Sequence, residues 1–277
     1  DHVIQLQHQN PSHFYFIKHN IIFPLKIKQK FLPVKEIYHL ACPASPKYYQ
    51  KDDSFTLDTC YIGTRNILNF ALQQNAKILF TSTSEIYGEP LEHPQKEEYR
   101  GNVNPVGPRS CYDEGKRVAE TLMYSYRKKG VDTKIARIFN TYGPNMRKDD
   151  GRVVSTFICQ ALKNKPMTIY GDGTQTRSFC YISDTVDGLI KLMNSSYQNP
   201  VNIGNPANEI TMNTLATTIK EMIQSKSPIE FLPLPKNDPT RRCPDITKAK
   251  QILDWSPKMN LTKGLIHTIY YFAQSIE

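Results

Sequence analysis

The feature of this chain that most constrains its fold is a repeated alternation of short apolar segments with longer amphipathic ones. Runs of strand-like length predict β-strands at His13–Lys18, Glu36–Ala41, Lys77–Ser82, Thr133–Ile138, Met167–Tyr170 and Pro200–Ile203. Helical periodicity predicts α-helices at Phe55–Gln73, Ser110–Lys128, Val153–Asn164, Ser183–Met193, Met212–Ile223 and Leu261–Ser275. Asp184 and Thr211 stand where two of these helices need a capping oxygen. The alternation predicts βαβ units and an α/β fold with a doubly wound parallel sheet.

The character of the chain changes after Gly143 and Pro144. A length of 277 residues is enough for one large domain or two small ones with a proper core. Beyond residue 144 the elements are smaller, and the polar segment Pro233–Pro244 interrupts the pattern. We therefore predict a sheet domain in residues 1–144 and a smaller α/β domain in residues 145–277.

The composition narrows the class of protein. No apolar run approaches membrane-spanning length. The net charge of +9 comes from scattered Lys and Arg residues without an aromatic-rich RNA motif, so we expect no nucleic-acid partner and a site that holds an anionic substrate. The cysteines have no Cys-x-x-Cys spacing, which predicts free thiols in a reducing compartment and no metal site. They are Cys42, Cys60, Cys111, Cys159, Cys180 and Cys243.

Tyr112 and Lys116 are four residues apart in the predicted helix Ser110–Lys128. This spacing places both side chains on one face of a helix. An ammonium beside a phenol stabilises the phenolate, so we expect the pKa of Tyr112 to be lowered and the residue to act as a proton shuttle. By itself the pair is weak evidence, because such pairs also occur by chance on helix surfaces.

A second cluster of polar residues, Thr81–Gly88, follows a predicted strand directly. In open α/β sheets, ligands bind at the carboxyl ends of the strands. Thr83 and Glu85 are therefore candidates to join Tyr112 and Lys116 in one site. The alternative is a turn rich in Ser and Thr that satisfies its own backbone.

Longer stretches of sequence point to a known family. They are IYHLACPASPKYY, STSEIYGEPLEHPQ, NPVGPRSCYDEGKRVAETL, ARIFNTYGPNMRKDDGRVVSTFI, IYGDGTQTRSFCYISD, VNIGNP and DPTRRCPDITKAK. Residues 36–270 resemble the extended branch of the short-chain dehydrogenase/reductase family, and within it the nucleotide-sugar decarboxylases. The resemblance implies a Rossmann-like dinucleotide-binding domain in residues 1–144 and a nucleotide-sugar domain in residues 145–277.

The resemblance implies roles for individual residues. Tyr112 is the catalytic base, with Lys116 as its partner and Thr83 as the hydroxyl that completes a triad. Glu85 is a further acid/base group, and Arg242 handles the substrate carboxylate. The implied cofactor-binding residues are Leu40, Ala41, Thr59, Tyr112 and Lys116. The implied substrate-binding residues are Pro43, Ala44, Tyr49, Ser84, Asn140, Arg177, Tyr181 and Arg242.

The activity implied by the resemblance is conversion of UDP-glucuronate to UDP-xylose with NAD. Oxidation at the sugar C4 would give a β-keto acid, which loses carbon dioxide readily, and the hydride would then return to C4. Relatives of this kind pair two helices of each subunit, so a homodimer is expected through Phe55, Ile62, Leu68, Leu122 and Met123. The expected compartment is the cytoplasm, or the Golgi lumen if an upstream membrane anchor exists.

One family feature is missing from these 277 residues: no Gly-x-x-Gly-x-x-Gly segment precedes the Phe23-Pro24-Leu25 stretch. Such a loop belongs to an N-terminal βαβ unit that binds the cofactor pyrophosphate, and we expect this unit to be missing from these residues. We expect this chain to bind UDP measurably but NAD weakly or not at all. A fragment of a longer protein is the favoured explanation, and a UDP-sugar-binding paralogue without NAD or a partner chain that supplies the unit are the alternatives.

The nearest enzymatic alternative is a dTDP-glucose 4,6-dehydratase-like protein. Such proteins carry Asp-Glu where this chain has Ser84 and Glu85, and they use the acid pair to eliminate water. Ser84 therefore argues against this alternative. A milder departure is Cys60, which stands where many relatives carry Asn or another small polar residue.

Overall fold

The computed structural model describes residues 2–276, so Asp1 and Glu277, the end residues of the two predicted domains, lie outside the described residues. Its strands, numbered in chain order, are β1 Glu36–His39, β2 Lys77–Thr83, β3 Thr133–Ile138, β4 Thr141–Tyr142, β5 Met167–Tyr170, β6 Thr176–Ser178, β7 Cys180–Tyr181, β8 Pro200–Ile203, β9 Glu209–Thr211, β10 Ile229–Leu232 and β11 Arg241–Arg242. A parallel main sheet has the order β1-β2-β3-β8. The predicted α/β fold with a parallel sheet is confirmed.

The side chains of β2 explain why the main sheet is covered on both faces. Successive residues of a strand point to opposite faces. Ile78 and Phe80 accordingly pack in one apolar cluster, whereas Leu79 packs in another. The uninterrupted apolar run of this strand is typical of parallel sheets that are buried on both faces.

The helices, also numbered in chain order, are α1 His2–Gln9, α2 Pro46–Tyr49, α3 Asp53–Asp58, α4 Thr64–Gln74, α5 Ser110–Arg127, α6 Val153–Leu162, α7 Ile182–Asn194, α8 Met212–Ile223, α9 Thr247–Leu253 and α10 Leu261–Ile276. Helices α4 and α5 cover one face of the main sheet, and α7 and α9 cover the other. The predicted helix Phe55–Gln73 is a continuous run of α3 and α4, joined by a π-helical turn at Thr59–Gly63. The six predicted helices are confirmed, with ends shifted by a few residues.

Of the two predicted helix caps, one is confirmed and one is wrong. The Thr211 side chain accepts a hydrogen bond from the backbone N–H of Thr214 at 3.1 Å. Asp184 is not a cap, because α7 already begins at Ile182. Its carboxylate instead accepts hydrogen bonds from the backbone N–H groups of Lys258 and Met259 at 3.1 and 2.9 Å. This long-range bridge holds α7 against the segment before α10, which a local pattern does not reveal.

The predicted strand His13–Lys18 is wrong. These residues form an irregular segment after α1, and the side chains of Phe16 and Ile17 are about half exposed. Asn66 on α4 donates a hydrogen bond to the carbonyl oxygen of Ile22 at 2.8 Å, which anchors the end of the segment to the helix. Within residues 2–276, β1 therefore pairs with β2 alone and forms an edge of the main sheet.

The second half of the chain builds its own core beside the main sheet. Phe157, Leu215 and Phe272 bring α6, α8 and α10 together. However, α7, β8 and α9 come from residues 145–277 and belong to the main sheet and its covering layer. The predicted boundary at residue 144 therefore divides the sequence, but it does not separate the main sheet and its covering helices from the second core. Its role as a boundary between folding units stays a prediction.

Part of the apolar surface predicted for a dimer is not available. Leu68 and Met123 are fully buried and pack between their helices and the main sheet. The choice of these two side chains as contact residues is therefore wrong, because they serve the core. Phe55, by contrast, is 40% exposed. Each described helix is too short or too polar to cross a membrane.

Candidate active site

A cavity of about 960 Å³ lies at the carboxyl ends of β2 and β3, between the main sheet and the second half of the chain. This is where an open parallel sheet is expected to bind a ligand. Most of the predicted site residues line this cleft. They are Leu40, Ala44, Tyr49, Thr83, Ser84, Glu85, Tyr112, Lys116, Asn140, Arg177 and Arg242.

Four predicted site residues do not line the cleft: Ala41, Pro43, Thr59 and Tyr181. The Thr59 hydroxyl donates a hydrogen bond to the carbonyl oxygen of Phe55 at 2.8 Å, within its own helix. The Tyr181 ring packs edge-on in the second core, 5.6 Å from the Tyr142 ring. Ala41 and Pro43 alternate with Leu40, Cys42 and Ala44, which do face the cleft. The binding roles of these four residues stay predictions.

Helix α5 brings Tyr112 beside the end of β2, where it forms a hydrogen bond with the Thr83 side chain. The Tyr112 ring stacks on the Tyr49 ring, with centroids 4.8 Å apart and planes within 8°. Burial raises the pKa of Tyr112 well above its ordinary value, and the charges of Cys42 and Glu85 add to this effect. The hydrogen bond with Thr83 opposes it. The lowering expected from the Tyr112–Lys116 pair is therefore not found.

The reason lies in the position of the Lys116 ammonium. Its Nζ atom is buried, donates a hydrogen bond to the carbonyl oxygen of Thr81 at 2.8 Å, and lies 4.7 Å from the centroid of the Phe80 ring. The same atom is 5.8 Å from the centroid of the Tyr112 ring. Lys116 thus supplies a fixed positive charge to the floor of the cleft, with Tyr112 as a neutral hydroxyl beside it.

A network of ion pairs forms the opposite wall of the cleft. Glu85 binds both Arg242 and Arg109, and the Arg242 Nη2 donates to its Oε2 at 2.8 Å. Arg109 also contacts Asp238, with 3.2 Å between Nη1 and Oδ1, and the Arg177 Nη2 donates to the Asp238 Oδ2 at 2.9 Å. This row of alternating charges connects the end of β2, the start of α5 and the C-terminal third of the sequence.

The arginines determine the ionisation of Glu85. Burial by itself would raise the pKa of its carboxyl group, but the charges of Arg242 and Arg109 outweigh burial and hold the pKa well below its usual range. Glu85 is therefore a stable anion in this arrangement. Its predicted acid/base role requires both arginines to turn toward a ligand and stays a prediction.

Sequence reasoning missed the charged residues that complete the ion-pair network of this site. Arg109 and Asp238 are central to the ion-pair network, and Asp113 follows Tyr112 directly and lies 3.9 Å from the Arg109 Nε. Burial and the charge of Glu85 raise the pKa of Asp113 to about 7. Arg109 carried a usable signal, because it lies one turn before Tyr112 and shares the helix face of Asp113. Asp238 stands in the polar segment Pro233–Pro244 and had no local signal.

Unpaired polar atoms in the cleft indicate a polar ligand. Among the described residues, the buried atoms without a hydrogen-bond partner include Tyr49 OH, Arg109 Nε, Asn140 Oδ1 and Arg242 Nε. Each of these residues lines the cleft. Buried polar groups in native proteins are nearly always paired. Their concentration here fits a ligand that carries both hydrogen-bonding and anionic groups.

The residues present fit one end of a dinucleotide cofactor. Leu40, Tyr112 and Lys116 border the cleft at the edge of the main sheet, where a nicotinamide and its ribose would rest. The described part of the chain offers no glycine-rich turn between a strand and a helix for the pyrophosphate, since its first glycine is Gly63 within a helix. The expected weak affinity of the 277-residue chain for NAD stays a prediction.

Two other features lie outside the cleft. A second cavity of about 670 Å³ borders α5 and contains none of the predicted site residues. Elsewhere His93, Glu209 and Cys243 bring potential metal-ligand atoms within 4.8 Å of one another. The imidazole and carboxylate of this group already pair at 3.2 Å, and burial raises the pKa of the Cys243 thiol to about 12. Contacts within the chain therefore explain why these three side chains lie together. The predicted absence of a metal site stays a prediction.

Comparison with known proteins identifies related sequences. The family model for GDP-mannose 4,6 dehydratase matches residues 1–268. UDP-glucuronic acid decarboxylase 5 of Arabidopsis thaliana is 56% identical over 253 residues, which are 91% of this chain and 72% of that protein. UDP-glucuronic acid decarboxylase 1 of Danio rerio is 51% identical over 271 residues, 98% of this chain and 63% of that protein.

Solved structures agree with the observed fold. The UDP-glucuronic acid 4-epimerase of Bacillus cereus, in complex with UDP-glucuronic acid and NAD, superimposes with a TM-score of 0.86 at 28% identity. The match covers 98% of this chain and 85% of that one. The relatedness therefore extends through both the main sheet and the second core.

Proposed function

The chain belongs to the GDP-mannose 4,6-dehydratase family, in the branch of the UDP-glucuronic acid decarboxylases, and from this premise we propose that the full-length protein decarboxylates UDP-glucuronate to UDP-xylose with NAD. The observation that carries the proposal is the cleft itself. It combines a buried tyrosine and threonine pair, a buried lysine and three buried arginines. These are the groups needed to move a proton at a sugar hydroxyl while holding a triply anionic substrate.

The arginine wall binds the substrate. A planar guanidinium matches phosphate and carboxylate oxygens in a two-pronged geometry. Arg177 and Arg242 face the cleft together with Asn140, whose Oδ1 has no partner. The phosphates and the sugar carboxylate compete with Glu85 and Asp238 for these cations. Arg109, held between the two carboxylates, keeps the wall cationic when the pairs rearrange.

Tyr112 and Thr83 handle the proton of the sugar 4-hydroxyl. NAD, when bound, supplies the hydride acceptor and donor at the sugar C4, and Leu40, Tyr112 and Lys116 would hold its nicotinamide end. Because its pKa is raised in the resting cleft, Tyr112 must release its own proton to water before its oxygen takes the proton of the 4-hydroxyl. The fixed charge of Lys116 favours the phenolate at the moment the proton moves.

Ser84 supports decarboxylation over dehydration. Elimination of water from the sugar needs a carboxylic acid that delivers a proton. Ser84 lines the cleft beside Glu85, and Glu85 is held as an anion by two arginines. Glu85 is therefore not a ready proton donor for elimination, whereas a β-keto acid loses carbon dioxide without one; the enolate that remains then takes up a proton at C5 from water before the hydride returns to C4.

Product analysis tests the proposed function. The full-length protein is incubated with UDP-glucuronate and excess NAD, the nucleotide sugars are separated, and their masses are measured by mass spectrometry. UDP-xylose is the expected product. A 4-keto-6-deoxy product would support the dehydratase-like alternative. Unchanged substrate, together with calorimetric binding of UDP, would support a non-catalytic UDP-sugar-binding protein.

The expected homodimer uses the outer surface of α3, the π-helical turn and α5. Phe55, Leu57, Tyr61 and Tyr124 are each 40% exposed or more on these elements. Exposed aromatic residues are enriched at protein interfaces. Light scattering on the purified chain should give the mass of two copies, and Tyr61→Glu should convert it to one. Tyr270→Glu changes an exposed residue of α10 and serves as the control, so this variant should remain dimeric. A monomeric parent chain would contradict the proposed dimer.

The cysteines support a reducing compartment, for which we propose the cytosol. All six are free thiols. Free thiols persist where glutathione and thioredoxin keep cysteines reduced.

A further inference from the structure

Two of the free cysteines meet behind the cleft. Cys42 follows β1 and lines the cavity, whereas Cys60 is buried in the π-helical turn between α3 and α4. Their Sγ atoms are 3.3 Å apart although the residues are 18 positions apart in sequence. Cys60 Sγ also lies against Gly115 of α5, where an added Cβ would be only 3.0 Å away. The pair therefore joins three elements that border the site.

The surroundings of the pair distinguish its two members. Cys42 packs with Tyr49 and Tyr112, so it is reached from the cleft, whereas Cys60 is 2% exposed. A hydrogen bond from the Cys60 thiol, together with the charge of Lys116, outweighs burial and lowers the pKa of Cys42 to about 7. Thiolates are the reactive form of cysteine. Cys42 is thus the nucleophile of the pair and Cys60 the resolving thiol.

We propose that Cys42 and Cys60 form a reversible disulfide in the wall of the cleft when a peroxide reaches Cys42. The Cys42 sulfur attacks one peroxide oxygen, the O–O bond breaks, and water leaves after protonation, so that Cys42 becomes a sulfenic acid. The Cys60 sulfur then attacks the Cys42 sulfur, the S–S bond forms, and the sulfenic oxygen leaves as water. In total, two thiols are oxidised to one disulfide, and hydrogen peroxide is reduced to two waters.

The geometry requires little movement. A disulfide needs a sulfur separation of about 2.05 Å, so the two Sγ atoms must approach by roughly 1.2 Å. The loop that carries Cys42 is not part of a helix or strand, and π-helical turns are local irregularities often found at functional sites.

Oxidation would change the site in two ways. The disulfide is neutral, so it removes a negative charge beside Lys116 and Tyr112. The Cys42 charge is one cause of the raised pKa of Tyr112, and this cause disappears. The bond also fixes the loop of Leu40, Cys42 and Ala44, which lines the cleft, to the α3–α4 helix. The modification therefore acts on the cleft directly and does not depend on which sugar nucleotide binds there.

Peptide mapping tests the proposal on the intact chain. The chain is treated with a small excess of hydrogen peroxide, blocked with iodoacetamide, and digested without a reductant. The expected main product is a peptide pair linked through Cys42 and Cys60, which dithiothreitol separates again. Two results would overturn the proposal. One is a disulfide that involves the nearby Cys111 in place of Cys42 or Cys60. The other is alkylation of both Cys42 and Cys60 under conditions that have already oxidised Cys159.

Two variants sharpen the test. Cys60→Ser removes the resolving thiol, so the sulfenic acid on Cys42 should accumulate and be labelled by dimedone, with no linked peptide. Cys159→Ser removes a thiol outside the pair and should form the Cys42–Cys60 linkage as the parent chain does. Equal dimedone labelling of Cys42 in the parent and in Cys60→Ser would show that Cys60 does not resolve it. If Cys60→Ser does not fold, the mapping of the parent chain alone decides.

Discussion

Tyr112→Phe is expected to lower the turnover of UDP-glucuronate by about 10²- to 10⁴-fold, because it removes the hydroxyl that moves the proton. The phenyl ring keeps its stacking on Tyr49 and its burial, so the fold and the arginine wall are retained. Affinity for UDP, measured by calorimetry, should change by less than about twofold, since no arginine contact is lost. The loss therefore belongs to turnover and not to binding.

Tyr124→Phe provides the matched control for this substitution. Tyr124 lies on the same helix but is 53% exposed and does not line the cleft. Its variant should turn over substrate as the parent chain does. If Tyr112→Phe kept turnover within about tenfold of the parent, a positioned proton donor and acceptor at this site would be the wrong explanation.

Glu85→Gln is expected to lower the free energy of unfolding by about 3 kcal/mol at neutral pH. The amide has the size of the carboxylate but leaves Arg242 and Arg109, both nearly buried, without their shared counter-ion. Removing one member of a buried ion pair costs far more than the pair contributes, because the remaining charge is desolvated and uncompensated. Urea unfolding curves for the two chains measure the difference.

The acidic limb of the stability curve gives the same prediction an independent check. The folded-state pKa of Glu85 is depressed, so its contribution is fully present above the unfolded value of about 4.3 and is lost as the pH falls through the folded value. The stability difference between the parent and Glu85→Gln should therefore be constant from neutral pH down to about 5 and shrink below about 4. A difference that grew on acidification would contradict the assigned ion pairs.

Glu114→Gln is the matched control for this pair of measurements. Glu114 forms a half-exposed ion pair with Arg117, three residues further along α5, at 3.4 Å. Exposed pairs of this kind contribute little, so a loss below about 0.5 kcal/mol is expected. An equal loss in both variants would show that the network around Glu85 behaves as a surface cluster.

The main sheet could be predicted well from the sequence because local sequence patterns specify its strands. The run Lys77–Thr83 is apolar on both faces and then ends in hydroxyl residues, which marks both a buried strand and the edge of a ligand site. The spacing of Tyr112 and Lys116 correctly placed both residues in one cleft, because helix geometry alone fixes that relation. Local sequence patterns were sufficient wherever the structure depends on residues that are close together in the sequence.

Long-range contacts explain the failures. Asp238 is 129 residues from its partner Arg109, and no periodic pattern connects them. Asp184 is a residue type typical of helix caps, but its carboxylate accepts hydrogen bonds from backbone groups more than 70 residues away. The pKa of Tyr112 depends on how deeply the ring is buried and on where the Lys116 ammonium points, neither of which the sequence specifies. His13–Lys18 has an apolar, aromatic composition, but within residues 2–276 no strand pairs with it to complete a ladder.

One measurement tests the central claim most directly: the fate of the carboxyl carbon of UDP-glucuronate. Substrate labelled isotopically at that carbon is incubated with the full-length protein and excess NAD, and carbon dioxide, nucleotide sugars and NADH are measured together. The account predicts one labelled carbon dioxide for each UDP-xylose, with no net accumulation of NADH. Label retained in every nucleotide sugar, with UDP bound normally in the cleft, would contradict the assignment of this site to decarboxylation.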